Sequence, residues 1–205
     1  MATKATADTL ISLMTARRTY YALNKTLPIS NDRVTEIVKE IIKQTPSSFN
    51  SQSTRAVVLF GAEHEKLWDF AIAELKKIVP AENWKTTGDK LSGFRAAAGS
   101  VLFFTDNVPV KALQDKFATY APKFPGWATQ TNAMSQFATW TALEAEGLGA
   151  NLQHYNPVID AQVASEWKIP ENWTLDAQLV FGGIAAETYP KDFAPIDERV
   201  KSYGA

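Results

Sequence analysis

The sequence of 205 residues contains no cysteine and only two histidines, His64 and His154. Disulfides, thiolate nucleophiles, cysteine-ligated zinc and iron–sulfur clusters are therefore excluded. Neither a G-x-G-x-x-G fingerprint nor a P-loop occurs, which argues against a doubly wound nucleotide-binding fold. The sequence does not indicate chemistry at a protein nucleophile.

A strong charge of either sign is also lacking, because the formal net charge at pH 7 is -1. No global field favours nucleic acid or an anionic membrane, so we predict neither as a partner. The longest charge-free run, between Lys123 and Glu144, contains Gln130 and Asn132 and is too polar for a membrane span. The first eight residues carry no apolar signal-peptide core, so we expect a cytoplasmic protein without a secretory signal.

Hydrophobic residues make up 45% of the chain, enough for a sizeable core, and we predict one domain over residues 1–205. The first strand follows two helices, which favours an α+β layered fold. Residues 107–127 predict a short helix and an irregular segment. The remaining predicted helices are 9–18, Ser30 to Ile42, 63–79, 128–146 and 157–168, and the predicted strands are 56–61, 100–105, 150–153 and 175–181.

Arg17 and Arg18 end the first predicted helix and precede Thr19. Arg17 continues the apolar stripe of Leu10, Leu13 and Met14, which predicts that it points toward the core. A buried charge needs a partner, and a phosphate suits the bidentate guanidinium. The alternative is a pair of cations that only favours a helix C-terminus.

A polar loop, Pro46-Ser47-Ser48-Phe49-Asn50-Ser51-Gln52, links the second helix to an apolar strand. It offers hydroxyls, amides and backbone N–H groups but no titrating side chain, so we interpret it as a cradle for a polar ligand. An ordinary turn before a strand is the alternative.

Two further clusters lie late in the chain. Gly147-Leu148-Gly149 precedes a strand that ends at Gln153-His154-Tyr155-Asn156, a dense set of donors and acceptors. Phe181-Gly182-Gly183 precedes Lys191. The alternatives for the single residues are that the glycines only stop a helix, that the histidine is structural and that the lysine is solvated.

The order and spacing of these four clusters resemble the nitroreductase family of FMN-dependent, NAD(P)H-oxidising flavoproteins. Two segments are most similar to the short fungal and Gram-positive branch of the family. They are Ala16-Arg17-Arg18-Thr19-Tyr20-Tyr21-Ala22-Leu23 and Leu152-Gln153-His154-Tyr155-Asn156. The resemblance covers nearly the whole chain. It implies a three-layer sandwich with a mixed or antiparallel central sheet flanked by helices, in an intertwined homodimer.

The resemblance also implies the residues that bind FMN. The phosphate and ribityl contacts would be Arg17, Arg18, Thr19 and Lys191. The loop that packs on the flavin ring from the partner subunit would contribute Pro46, Ser47, Ser48 and Asn50. The ring edge would be lined by Gln153, His154 and Tyr155. Many relatives carry a basic residue two positions after Thr19, where this chain has Tyr21, so one phosphate contact is missing or replaced.

The activity implied is FMN-dependent NAD(P)H oxidation with ping-pong hydride transfer to a small aromatic acceptor, a nitroaromatic or a quinone, and a link to oxidative stress. NADH or NADPH would be the co-substrate, and no metal is expected. The charge-poor helix 128–146 would pack closely at the dimer interface, and segment 117–127 would cover the ring. The alternatives are an FMN-binding sensor or buffer with little turnover and an interaction module without a cofactor.

Overall fold

The computed structural model describes residues 6–204, so residue 205 and residues 1–5, which belong to the N-terminal stretch expected to lack a secretory signal, lie outside the described part. The helices are α1 Ala7–Ala16, α2 Asn31–Gln44, α3 Gly61–Ile78, α4 Trp84–Arg95, α5 Asn107–Lys116, α6 Phe124–Ala145 and α7 Asp160–Glu166. The strands are β1 Leu23–Asn24, β2 Thr54–Phe60, β3 Gly99–Asp106, β4 Gly149–Gln153 and β5 Trp173–Ile184.

The five strands form one antiparallel sheet. Strand β5 lies at its centre and pairs with β3, β4 and β1, and β2 extends the sheet beyond β3. The α+β class predicted from the sequence is confirmed. The sheet has no parallel strand pair among its described strands, so the antiparallel form of the expectation holds.

Helices cover both faces of the sheet because the central strands are apolar on both sides. In β3, Leu102 and Phe104 pack toward α3, α4 and α7, whereas Val101 and Phe103 pack toward α2 and α6. All four side chains are buried. A strand buried on both faces shows the continuous apolar run that identified it in the sequence.

Most predicted elements occur within a few residues of their expected positions. The clear omission is α4, whose sequence Trp84–Arg95 contains Gly88 and Gly93 and therefore has weak helix propensity. Helix α6 begins at Phe124, earlier than the predicted residue 128. The two-residue strand β1 also forms before α2, so the expectation that two helices precede the first strand was wrong.

Helix α1 forms as predicted, but none of its residues is buried. Leu10 and Ile11 are more than half exposed, so the apolar stripe is not covered within one subunit. In contrast, the small polar residues of α6 that we expected at a dimer interface, including Ser135 and Thr139, are buried within the subunit itself. No helix in residues 6–204 combines the length and apolarity needed to cross a membrane.

His64 on α3 fixes the end of α4 from inside the core. Its Nε2 lies 3.0 Å from the carbonyl oxygen of Phe94, and its Nδ1 lies 3.0 Å from Ser100 Oγ. Because a carbonyl only accepts, Nε2 carries the hydrogen, and Nδ1 accepts from the serine. Burial is the main cause that lowers the pKa of His64 to about 4.

We predict that acid destabilises the fold through His64. In the unfolded chain the imidazole binds a proton near pH 6.5, whereas in the folded chain it stays neutral down to a pKa of about 4. Stability from this group is therefore complete above pH 6.5 and is lost as the pH falls toward 4. The loss is about 3 kcal/mol.

The measurement is urea unfolding of the wild type and His64→Gln between pH 7 and pH 4. The free energy of unfolding of the wild type should fall more steeply with decreasing pH than that of the variant. Equal slopes would contradict the assignment of a depressed pKa to His64.

Candidate functional site

The structure brings together the four predicted phosphate ligands. Arg17, Arg18 and Thr19, which follow α1, line a cavity of about 310 Å³ with Lys191 from the segment after β5. Tyr21, Tyr189 and Pro190 complete its wall. We refer to this cavity as the arginine cradle. Residues 17 and 191 are far apart in sequence, so the fold, and not a local turn, creates this concentration of positive charge.

Arg17 is oriented in the cradle by an aromatic ring. Its guanidinium carbon lies 4.3 Å from the ring centroid of Trp140 on α6, a cation–π distance. The Nη1 atom is buried and has no hydrogen-bond partner. A buried donor without an acceptor costs free energy, so this nitrogen is a ready contact for an anionic ligand. The prediction that Arg17 points inward is confirmed.

Glu144, also on α6, holds the segment that carries the arginines. Its Oε2 accepts the backbone N–H of Arg18 at 2.7 Å, and its Oε1 accepts the indole N–H of Trp140 at 2.6 Å. Burial raises the pKa of Glu144, which these hydrogen bonds and the nearby Arg17 charge partly counteract. Sequence reasoning missed Trp140 and Glu144, although their i,i+4 spacing at the end of a charge-free run is a possible signal.

Close backbone contacts explain the glycines that precede the cradle. An added Cβ at Gly182 would lie 2.5 Å from the carbonyl oxygen of Asn24, and one at Gly183 would lie 2.2 Å from that of Thr26. Only glycine allows residues 24–26 to run this close to β5. The two chain segments that form the cradle, one before β1 and one after β5, are thereby held at the same edge.

The three predicted ring-edge residues lie at the end of β4, but their side chains differ in orientation. Gln153 is buried, and its Nε2 donates to Asn151 Oδ1 at 2.9 Å. Tyr155 is half-buried, packs edge-on against Trp68, and has a pKa raised mainly by burial. His154 is exposed. Among the three, only the His154 side chain is freely available to a ligand.

A carboxyl group that the sequence analysis did not identify lies close to His154. A register shift between Phe103 and Phe104 leaves Asp176 of β5 unpaired in the ladder. Its Oδ2 accepts from Thr105 Oγ1 and from Asn132 Nδ2, both at 2.6 Å. Burial raises the pKa of Asp176, while the hydrogen bond from Thr105 and the nearby His154 act in the opposite direction. β-Bulges often redirect side chains in this way beside functional sites.

The polar loop has a strained backbone. Phe49, Asn50 and Gln52 adopt positive φ angles of 52°, 52° and 48°. Ser47 Oγ accepts the N–H of Gln52 at 2.9 Å and closes the loop. Left-handed conformations of residues other than glycine are uncommon and concentrate at ligand sites. They favour the interpretation of this loop as a ligand-binding loop over an ordinary turn.

Phe49 joins this loop to the aromatic segment 117–127. Its ring centroid lies 4.9 Å from that of Phe117, 5.4 Å from that of Phe124 and 6.2 Å from that of Trp127. Phe49 itself remains 54% exposed. We call these four residues the aromatic patch. Phe124 is buried beneath the other three rings, and Phe49, with the partly buried Phe117 and Trp127, reaches the surface beside the serines.

The loop and the arginine cradle lie at opposite ends of α6. The loop contacts Trp127 near the start of this helix, whereas the cradle contacts Trp140 near its end. The helical rise between the two tryptophans is about 20 Å. Ser47 lines a different cavity from Arg17, and the two cavities share no lining residue. In one subunit, therefore, the loop does not form part of the cradle.

Comparison with known proteins identifies relatives over the full length of the fold. The sequence model of the nitroreductase family matches residues 14–183. The chain is 42% identical over 194 residues to HBN1 of Saccharomyces cerevisiae, which covers 94% of this chain and 96% of that protein. It is 44% identical to the nitroreductase CinD from Lactococcus lactis, with a TM-score of 0.86 and coverage of 95% and 99% of the two chains.

CinD has been solved in complex with 4-nitrophenol and in complex with nicotinic acid. A nitroreductase from Desulfitobacterium hafniense with bound FMN shares the fold at a TM-score of 0.71 and 14% identity, with coverage of 97% and 100% of the two chains. The family match and the HBN1 and CinD similarities agree with the resemblance found in the sequence motifs. The chain therefore belongs to the nitroreductase family.

Proposed function

We propose that the protein is an FMN-dependent NAD(P)H oxidoreductase, one FMN-binding domain per chain, that reduces nitroaromatic or quinone acceptors in a ping-pong cycle. Membership of the nitroreductase family supports an oxidoreductase. The observation that carries the FMN assignment is that Arg17, Arg18, Thr19 and Lys191 line one cavity and that Arg17 Nη1 is buried without a hydrogen-bond partner. That arrangement fits a phosphate monoester better than a neutral ligand.

The cradle matches the charge and shape of a flavin phosphate. Such a phosphate brings about two negative charges and three acceptor oxygens. Arg17 and Arg18 supply guanidinium donors, Lys191 supplies an ammonium, and the Thr19 hydroxyl supplies one more hydrogen bond. Trp140 keeps the Arg17 guanidinium in place, so little side-chain entropy is lost when the phosphate binds.

Bound FMN would supply the hydride chemistry, so the protein needs no nucleophile of its own. The residues of the chain then have binding and orienting roles. Glu144 fixes the segment that carries the arginines, and the exposed His154 offers a polar contact at the ring edge. NADH or NADPH would enter and leave before the acceptor binds to the same face.

The aromatic patch suits an aromatic acceptor. Phe49, Phe117 and Trp127 are at least partly exposed and offer ring surface against which a flat electron-poor ring can stack, while the buried Phe124 supports them from below. CinD binds 4-nitrophenol and nicotinic acid, which supports a nitroaromatic acceptor and a nicotinamide donor for this related chain. We therefore propose that the aromatic patch, three of whose residues belong to segment 117–127, covers the flavin ring.

A homodimer would complete the site. The loop of one subunit lies about 20 Å along α6 from its own cradle. The apolar side chains of α1 and Met134 and Phe137 of α6 are at least one-third exposed, as expected for a surface that a partner covers. We propose that Pro46, Ser47, Ser48 and Asn50 of one subunit pack on the flavin held by the other. A cytoplasmic location and a link to oxidative stress stay predictions from the sequence.

Turnover can be followed by the colour of the flavin. Purified protein loaded with FMN should be yellow, should bleach when mixed anaerobically with NADH or NADPH, and should regain its colour on addition of a nitroarene or a quinone. The visible spectrum follows each step. Flavin that binds but stays oxidised with both nicotinamides would favour the sensor or buffer, and protein that never binds FMN would favour the module without a cofactor.

Substitution of Arg17 tests whether this residue binds the phosphate. Arg17→Ala should lower the affinity for FMN by about 10- to 100-fold, because a charged hydrogen bond and a neutralising charge are lost. The affinity for riboflavin, which lacks the phosphate, should change little. Quenching of flavin fluorescence measures both.

Arg33→Ala is the matched control for the Arg17 variant. Arg33 lies on α2 and pairs at the surface with Glu36 and Glu146, at 2.7 and 2.9 Å. Equal FMN affinities of the Arg17 and Arg33 variants would remove Arg17 from the phosphate site. An equal loss of FMN and riboflavin in Arg17→Ala would show a structural role instead.

A further inference from the structure

Asp176 is a partly buried carboxyl group that has no part in the proposed FMN site, yet it lies at the corner of the sheet where β4 ends. The last residue of β4, Gln153, pairs with Gln178 of β5. Because the two strands are antiparallel, His154 runs on beside the residues that precede Gln178, and Asp176 is two positions before it. The next residue, Tyr155, packs on the opposite face of the sheet. His154 and Asp176 are therefore neighbours.

Both side chains lie on the face of the sheet that α6 covers. The alternation of β4, extended by one residue, puts His154 on the same face as Leu152, which packs in the core cluster beneath α6. Asp176 reaches this face through the bulge in β5. Its Oδ2 accepts from Thr105 Oγ1 and from Asn132 Nδ2 of α6, and Oδ1 is left for a further partner.

The charges around Asp176 favour a cation at His154. Helix α6 faces the carboxyl group with neutral amides. On β3, Asp106 is already paired with Arg55 at 2.7 Å. On α7, Asp160 is a second carboxyl group, whose pKa is raised by burial and by the charge of Asp176. A protonated His154 attracts Asp176 and counters the repulsion between these two carboxyl groups.

This corner lies where the ring of a flavin bound in the arginine cradle would reach. Asn132, which holds Asp176, precedes Trp140, the contact of Arg17, by two turns of α6. The helical rise between them is about 12 Å, a span that fits the sugar-alcohol chain between the phosphate and the ring of FMN. His154 is exposed, so its imidazole can meet an acceptor that stacks on the ring.

We propose that His154 is the general acid of acceptor reduction and that Asp176 positions it and favours its protonated form. The proposal rests on the function proposed above. A hydride brings two electrons and one proton, so a neutral product needs one more proton. With a quinone, an N–H bond of the His154 imidazolium breaks as the second O–H bond of the hydroquinone forms. With a nitroarene, the hydride and this proton release one oxygen as water and leave a nitroso compound. Because His154 is exposed, the neutral ring takes up a new proton from solvent.

The test compares two oxidants of the reduced holoenzyme in the wild type and in His154→Gln. The quinone 1,4-benzoquinone needs a proton, whereas ferricyanide accepts electrons alone. We expect the variant to reduce the quinone about 100-fold more slowly and to react with ferricyanide at the wild-type rate, as followed by stopped-flow absorbance of the flavin. Equal slowing with both oxidants would indicate a misplaced cofactor and overturn the acid role, as would a wild-type rate with the quinone.

The pH profile of quinone reduction tests the positioning role of Asp176. The rate should fall as the pH rises and His154 loses its proton. In Asp176→Asn, with folding checked by circular dichroism, the fall should come about one pH unit lower, because the carboxylate no longer favours the protonated ring. The control is Asp115→Asn on α5, which also removes one negative charge, from a surface pair with Lys111 at 2.6 Å. It should keep the wild-type profile, and the same profile in folded Asp176→Asn would overturn the pairing.

The two proposals fail in different ways. If neither NADH nor NADPH reduces the wild-type holoenzyme, or if the reduced wild type passes no electrons to the quinone, the proposed function fails. If the wild type completes the cycle and His154→Gln completes it at the same rate, only the acid role of His154 fails.

Discussion

The stacking of the Arg17 guanidinium on Trp140 is the interaction on which the candidate site depends. It brings a positive charge to the inner wall of a small cavity and leaves one nitrogen without a protein acceptor. Glu144 holds the same segment but is itself occupied by the Arg18 N–H and the Trp140 indole. A buried donor without an acceptor is uncommon because it costs free energy, and in the proposed function the FMN phosphate would accept from it, which would link the packing of α6 to anion binding.

The sequence predicted the inward orientation of Arg17 but not the reason for it. Arg17 was expected to continue a core-facing stripe of α1, whereas α1 ends at Ala16 and its stripe is exposed, so the contact with Trp140 is what turns Arg17 inward. Trp140 and Glu144 could not be assigned because their contacts with Arg17 and Arg18 join positions more than a hundred residues apart. The left-handed backbone conformation of Phe49 also could not be predicted, because such a conformation is expected for glycine or asparagine and not for a bulky aromatic residue.

Helix α4 shows a second limit of sequence reasoning. Its glycines weaken the helical signal, and it is stabilised by tertiary contacts, through Leu91 and Phe94 in the core and the hydrogen bond from His64. The apolar stripe of α1 was expected to face the core, but it is exposed in the single chain.

In the proposed dimer, the arginine cradle of one subunit and the polar loop of its partner hold the same flavin. Mixed dimers can test this arrangement: an Arg17→Ala chain is paired with a Ser48→Trp chain, each with its own tag. Each homodimer should retain far less FMN than the wild type. The mixed dimer contains one intact cradle facing one intact loop, so it should regain about half of the wild-type FMN content, whereas a mixed dimer with no more FMN than the homodimers, or a monomeric wild-type protein, would rule out a shared site.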